Sequence, residues 1–327
     1  MKFVGLFTAA AVGVLATLGT AGAQQAIELG IALHTSPPGP EFAAVDKFKE
    51  LVESRSNGQL KVKTFPSAVL GGERDNIEQL TVNQVAMTLN GDLLPNVAAP
   101  QYAATVVPFV FPSAEAVYEY WAGPIGEKAK EAIRNKVGIE VVAFMRRGDR
   151  HLTAKKEVKT PDDIKGVKLR VPEIPSWVKA WSAVGARPTP VAYPELFSAL
   201  QMGVVDAQEN PCFNVNQAKM YEVQKYLIET AHVPAVWHWA VSKKFLDGLS
   251  PELRKVVIDS AVEAAKFGDD LSKAEIDKTC NELVEKHKMT RVKPDRAAFV
   301  KAARPAIDEL AKDWAPGVLD AVSKHLN

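Results

Sequence analysis

Arginines carry the first chemical signal in this sequence. Arg146, Arg147 and Arg150 follow the apolar run IEVVAF, and Arg170 sits inside a second apolar segment, VKLRV. Guanidinium groups at a strand end suit an anion, because two parallel N–H donors match the two oxygens of a carboxylate in one plane. Arg170 ends a strand whose apolar members Val167, Leu169 and Val171 should be buried, and a buried arginine is costly without an anion beside it. No acidic residue is an obvious local mate, which leaves a ligand carboxylate or a distant Asp or Glu as its partner. For Arg150 the alternative to a ligand role is a surface loop, where screening would reduce its charge contribution.

Other polar residues stand where ligands are often found. His34 ends the segment AIELGIAL and precedes Thr-Ser-Pro-Pro-Gly-Pro, a strand-end loop of the kind that borders ligands in open α/β sheets; a capped or solvated loop histidine is the alternative. Trp237-His238-Trp239 offers either a stacking patch or core aromatics. The histidines at 34, 151, 232, 238, 287 and 325 form no HExxH and no close His/Cys cluster, so no metal site is expected. There is no GxGxxG after a strand, no GxxxxGK[ST] and no GxSxG, so dinucleotide, nucleotide and α/β-hydrolase chemistry each lack their signature. No cofactor is expected.

The elements that position these residues follow from periodicity. Residues 26–33 and 60–64 alternate as half-buried strands, 85–89 is a short apolar run, and a helix over 41–55 connects the first two. Helices are predicted around 73–83 and 114–137, and a strand at 139–144. A second set begins after residue 150, with strands at 167–171, 188–192 and just before Asn210 and helices at 176–184 and 194–202. Strand and helix alternation argues for a mainly parallel sheet covered on both faces. Ser250, Pro251 and Glu252 mark the start of a helix reaching towards residue 289. It carries one apolar stripe at Leu253, Val257, Ala261 and Ala264 and another at Ile276, Cys280, Leu283 and His287, with Gly268 weakening the middle. Two stripes suit a helix that packs on two domains in turn.

The 327 residues, 47% hydrophobic and 24% charged, have a globular composition and a length of roughly two domains. Forty Lys and Arg against 39 Asp and Glu give no basic excess, which disfavours a nucleic-acid partner. Cys212 and Cys280 are too few for a disulfide scaffold and are expected not to be essential to folding, with Cys280 packing as a free thiol on an apolar helical stripe; a disulfide between them in an oxidising compartment is the alternative. Residues 1–23 read as a secretory signal peptide: Lys2, an apolar run over 3–18 that is short for the roughly 20 residues of a membrane span, then Ala21-Gly22-Ala23.

The segments Gly166-Val-Lys-Leu-Arg170, Gly185-Ala-Arg-Pro-Thr-Pro190, Tyr193 and Ala199 through Glu209-Asn210 together resemble the solute-binding proteins of tripartite ATP-independent periplasmic (TRAP) transporters. The resemblance extends back through Leu70-Gly-Gly-Glu-Arg-Asp75 and Gly148-Asp-Arg-His-Leu-Thr153, and forward to the Ser250-Pro-Glu-Leu helix. It implies a two-domain periplasmic-binding-protein-like α/β clamshell with crossing strands and a long bridging helix. The expected domains are residues 24–147 with 236–275, and residues 148–235 with 276–327. It further implies a periplasmic protein that binds a small carboxylate ligand and hands it to TRAP permease membrane subunits, with Arg170 gripping the carboxylate and Arg150, Asn210 and Tyr193 beside it. Ala207 departs from the glycine often found there.

Glu73, Asn90, His34 and Asn210 would add groups able to fix hydroxyls, with Trp237 as an aromatic wall, and Glu73 would repel a second carboxylate. That favours a sugar acid such as a uronate or aldonate over a C4-dicarboxylate or 2-oxo acid. A secreted enzyme with Glu73 as base and the arginines as clamp, and a sensing domain presented to a receptor, are the competing readings. If the leader is cleaved as read, protein recovered from an exporting host begins at Gln24 by mass spectrometry. A mature form that retains the apolar run over 3–18 would overturn this and revive a membrane-anchored reading.

Overall fold

The computed structural model describes residues 25–325, so the leader and its cleavage site lie outside the described residues. Among the described residues nine strands form one sheet: β1 (Ile27–Ala32), β2 (Leu60–Phe65), β3 (Met87–Asn90), β4 (Ile139–Ala154), β5 (Lys168–Val171), β6 (Arg187–Pro190), β7 (Ala207–Asn210), β8 (Tyr226–Ser242) and β9 (Thr290–Val292). Their order is β2-β1-β3-β8-β4-β7-β5-β6, with β9 beside β8. The helices that matter for the site are α1 (Pro40–Arg55), α2 (Glu73–Thr81), α3 (Ala114–Ala122), α4 (Pro124–Val137), α5 (Pro175–Val184), α6 (Cys212–Gln217) and α7 (Pro251–Glu285).

The flanks of the sheet are parallel, as alternation predicts: β1 pairs with β2 and β3, and β5 with β6 and β7. The centre corrects the expectation of a mainly parallel sheet. There β4 and β8, of 16 and 17 residues, run antiparallel to one another, and β3 and β7 join them antiparallel. The topology explains the change. β4 carries the chain out of the first flank into the second and β8 carries it back, so the two crossings point in opposite directions. Two α/β domains thus share one sheet through a pair of long crossing strands.

The predicted helix over 114–137 is two helices. Pro124 has no N–H to donate and its ring excludes a continuous helix, so α3 ends at Gly123 and α4 begins at Pro124. By contrast α7 is unbroken over 35 residues, about 52 Å at 1.5 Å per residue. Its start is as read, with the Ser250 hydroxyl accepting from Leu253 N–H at 3.2 Å. Its first half packs Val257, Ala261 and Ala264 into the core of Phe48 and Trp239, and its second half packs Cys280 and Leu283 against Leu200 and Val215. Gly268 is a close approach rather than a weak point: a Cβ there would lie 2.4 Å from Met145 Sδ and 2.7 Å from Ala44 Cβ. His287 lies beyond the helix end and stacks on Tyr221 at 3.6 Å.

The cysteines correct the favoured free-thiol reading and take the disulfide alternative. Cys212 at the start of α6 and Cys280 in α7 form a disulfide, because α6 lies on the same apolar stripe that Cys280 occupies. His151 approaches both sulfurs, yet a disulfide leaves neither thiolate free to ligate a metal. The bond spans 68 residues and should contribute about 2–4 kcal/mol by restricting the unfolded chain. Reduction should therefore lower the melting midpoint by roughly 3–6 °C for a chain of this size. Two reactive thiols in denatured, unreduced protein from an oxidising compartment would refute the bond.

Candidate functional site

The site forms where β4 and β8 cross between the flanks, and irregular pairing there sets which side chains meet. In a regular strand Arg147 and Arg150, three residues apart, would point to opposite faces. The register shifts between Arg146 and Gly148, where Arg146 opposes Val236 and Gly148 opposes Ala235, so Arg147 is an inserted residue. The bulge restores parity, and both arginines line one cavity. Gly148 has φ 110°, a left-handed conformation that glycine adopts without strain, and a second shift follows between Arg150 and Leu152.

That cavity, of about 20 Å³, is lined by His34, Glu73, Asp92, Arg147, Arg150, Arg170, Pro172, Ile174, Tyr193 and Asn210. A neighbouring cavity of about 260 Å³ shares Glu73, Arg170, Pro172 and Tyr193 with it. Six of the eight residues singled out from sequence therefore come together: His34, Glu73, Arg150, Arg170, Tyr193 and Asn210. Asn90 is elsewhere, its side chain donating to Glu73 O at 3.3 Å and accepting from Leu94 N–H at 3.0 Å. Trp237 lies behind the wall, with the Arg147 guanidinium 4.1 Å over its ring. Arg147, Asp92, Pro172 and Ile174 were not singled out as site residues. Arg147 was visible only as part of a basic cluster, because strand alternation aims it away.

The three arginines are compensated differently. Arg150 is 2% exposed, which excludes the surface-loop alternative. Its Nε and Nη2 donate to the two Glu209 carboxylate oxygens at 2.6 and 2.8 Å, and Nη1 donates to Asp92 at 3.2 Å. His232 completes the network, its Nε2 lying 2.9 Å from Glu209 and its Nδ1 2.8 Å from Thr230 Oγ1. Burial lowers the His232 pKa, so the ring is neutral and its Nε2–H donates to Glu209. Burial alone would raise Glu209, yet the charge of Arg150 and the hydrogen bonds from Arg150 and His232 hold it below the ordinary carboxylate value. Burial pushes Asp92 up.

Arg170 differs: it is 2% exposed, its Nε donates to Val191 O at 2.8 Å, and it has no ion pair within 4.0 Å among the described residues. Burial lowers its pKa to about 10, which still leaves a cation at neutral pH. His34, lowered to about 3 by burial and then by the charges of Arg147, Arg170 and Arg150, is neutral. Tyr193 donates its hydroxyl to Asn214 O at 3.2 Å, and Asn210 donates to Gln208 Oε1 at 2.7 Å. A buried guanidinium with no carboxylate beside it has the donors and the charge to accept a small carboxylate.

Residues 31–313 match the bacterial extracellular solute-binding protein family 7. The chain belongs to this family. A solute-binding protein of Roseobacter denitrificans is 35% identical over 306 residues, covering 94% of this chain and 93% of the relative. The 2,3-diketo-L-gulonate-binding periplasmic protein of Escherichia coli is 31% identical, covering 90% of each. A crystal structure of a TRAP periplasmic solute-binding protein from Roseobacter denitrificans with bound L-galactonate superposes with TM-score 0.85 at 32% identity, over 92% of this chain and 98% of that one. This protein is a TRAP solute-binding protein, and its family is extracytoplasmic and works with membrane permease components.

The charge network makes a stability prediction for this solute-binding protein. Arg150→Ala leaves Glu209 buried and unpaired, and removing one partner of a buried ion pair costs about 3–5 kcal/mol. Arg170→Ala removes a cation with no carboxylate partner and should cost far less without added ligand. Because Glu209 is held below its unfolded value of 4.5, its share of stability is complete above that pH and declines as pH falls through the folded value. Asp92, raised by burial, works in the opposite sense. Melting curves of the two variants with no ligand added decide the matter, and equal losses would defeat this division of roles.

Proposed function

We propose that this protein captures a sugar monocarboxylate, an aldonate or uronate, in the periplasm and delivers it chemically unchanged to the membrane subunits of a TRAP permease. The observation that carries the reading is Arg170, a buried guanidinium with no carboxylate partner among the described residues. A carboxylate supplied by a ligand removes the cost of burying that charge, and the β5 backbone fixes where it binds. Asn210 and Tyr193 approach from the same flank, while Glu73 and His34 come from the other, so the ligand lies between the domains. The L-galactonate held by the Roseobacter denitrificans relative supports the substrate class.

The division into residues 24–147 with 236–275 and residues 148–235 with 276–327 fits this reading, with hinges on the crossing strands and α7. A cavity of about 20 Å³ has room for about one water molecule, so a sugar acid enters as the domains part and they close around it. Nothing in the cleft must react with the acid for this work, and ligand recovered after long incubation should be intact.

Truncating one partner of a buried hydrogen-bonded charge pair costs about 2–5 kcal/mol, so Arg170→Ala should weaken aldonate or uronate binding by roughly 30-fold to several thousand-fold. Arg170→Lys keeps the charge and loses the planar fork, and should also bind poorly. Calorimetric titration with L-galactonate, D-glucuronate and succinate, after melting curves show each variant folded, is the measurement. Parent-like affinity in Arg170→Ala would remove the assignment of the site, and succinate as the tightest ligand would replace the substrate class.

A further inference from the structure

We propose that Arg147, with His34 and Glu73, forms a second subsite that reads the hydroxylated tail of the acid, so that the protein selects six-carbon aldonates over four-carbon ones. The inference rests on the reading of Arg170 as the carboxylate seat and adds a residue to it.

Arg147 is 5% exposed and held rigidly. Its guanidinium lies 4.1 Å over the Trp237 ring, and Nε donates to Asn214 Oδ1 at 3.1 Å, which fixes both the plane and the direction of the fork. That is the one hydrogen bond it makes among the described residues. Asp92 Oδ2 is 4.0 Å from Nη1, beyond hydrogen-bonding distance. Two terminal nitrogens with four N–H groups thus border the cavity without an acceptor. His34 Nδ1, buried in the same wall, also has no hydrogen-bond partner among the described residues.

Charge decides what these groups take. A Cβ on Gly91 would lie 2.4 Å from Arg147 Nη1 and 3.0 Å from Glu73 Oε1, so guanidinium and carboxylate flank the same bare backbone. With Asp92 also near, though hydrogen-bonded to Arg150, two carboxylates already stand beside Arg147, and a second ligand carboxylate would meet both of them. A hydroxyl meets no such conflict. It accepts from Arg147 and donates to Glu73, and the neutral His34 ring suits either role.

Position decides which end of the acid this is. Arg170 and Glu73 line both the inner cavity and its larger neighbour, whereas Arg147 and His34 line the inner one alone. Because Arg170 borders both cavities, an acid held there by its carboxylate reaches Arg147 and His34 when its carbon chain extends into the inner one. A shorter acid leaves the fork and the imidazole unpaired in the interior, and a site built to hydrogen-bond a hydroxyl discriminates strongly against an analogue that lacks it.

The test is calorimetry of the mature protein with L-galactonate and D-gluconate as six-carbon probes, D-erythronate as the four-carbon probe, and galactarate as the diacid. The parent should prefer its better six-carbon probe to erythronate, and Arg147→Gln should shrink that preference by about 10–100-fold. Gly91→Ala, whose Cβ would displace the Arg147 fork and crowd Glu73 while keeping both charges, should shrink it in the same direction and covers the case in which Arg147→Gln does not fold. Arg170→Ala should weaken all four acids together. An unchanged ratio in the Arg147 and Gly91 variants, or tighter binding of galactarate than of galactonate, overturns the second subsite alone. Failure of the parent to bind any of the four overturns the functional reading beneath it and the subsite with it.

Discussion

Three guanidinium groups, none more than 5% exposed, share the space between the two domains, and the free energy of keeping cations out of water constrains everything around them. Each is accommodated in a different way. Arg150 is neutralised inside the protein by Glu209 and Asp92 and serves as a strut. Arg147 is stacked on Trp237 and only approached by carboxylates. Arg170 has no anion within 4.0 Å among the described residues. The order matters, because a ligand carboxylate competes for the cation that the protein itself has left without one. Had Glu209 faced Arg170 instead of Arg150, the same residue types would have made a sealed structural salt bridge.

That partition depends on backbone irregularity. The strand that delivers Arg147 and Arg150 would splay them to opposite faces if its pairing were regular, and one inserted residue brings them to the same side. The neighbouring elements then hold what the bulge presents. β7 places Glu209 under Arg150, α6 places Asn214 on Arg147, and the disulfide from Cys212 to Cys280 fastens α6 to the helix that spans both domains. Gly268 lets that helix lie close enough to β4 for Met145 to touch it. The site is thus assembled from both domains but mounted on shared elements, which is what a hinged binding protein requires.

Much of this was legible in the sequence, and the limits have physical causes. Strand alternation at Val167, Leu169 and Val171 predicts the strand that carries Arg170, whose own burial on the opposite face follows only from a sheet covered on both faces, and the capping residues Ser250 and Pro251 predict the start of α7. Local patterns of that kind need no knowledge of partners. The antiparallel centre was not legible, since alternation reports which face is buried and not which strand lies alongside. Arg147 was hidden for a related reason: a bulge is a property of two paired strands, and only Gly148, with its left-handed backbone, hints at it in the sequence. The disulfide stood only as the alternative because an apolar stripe explains Cys280 equally well until α6 is seen packed upon it. Asn90, plausible as a ligand group by residue type, is committed to the backbone of Glu73 and Leu94.

The same accounting bears on how the domains part and close. Inside the cleft, buried contacts already join the two sides, among them Arg150 with Asp92 at 3.2 Å and Trp177 Nε1 donating to Val106 O, whereas those at its exposed mouth are weak. Arg74 meets Glu173 at 3.5 Å with both side chains about two-fifths exposed, and such a surface pair contributes about 0–1 kcal/mol. Gln217 at the end of α6 donates to Pro38 O and Glu41 Oε1, both at 2.9 Å, at a net worth of about 1 kcal/mol each. Moving a two-state equilibrium from mostly open to mostly closed takes about 5.5 kcal/mol of differential affinity. Contacts at the mouth are too weak to supply that alone; in the proposed reading, a carboxylate on Arg170 whose chain also reaches groups of the other domain adds to it only when both domains touch the ligand. On that reading affinity and closure come from the same contacts, and a solute that satisfies one domain alone would have little power to close the protein.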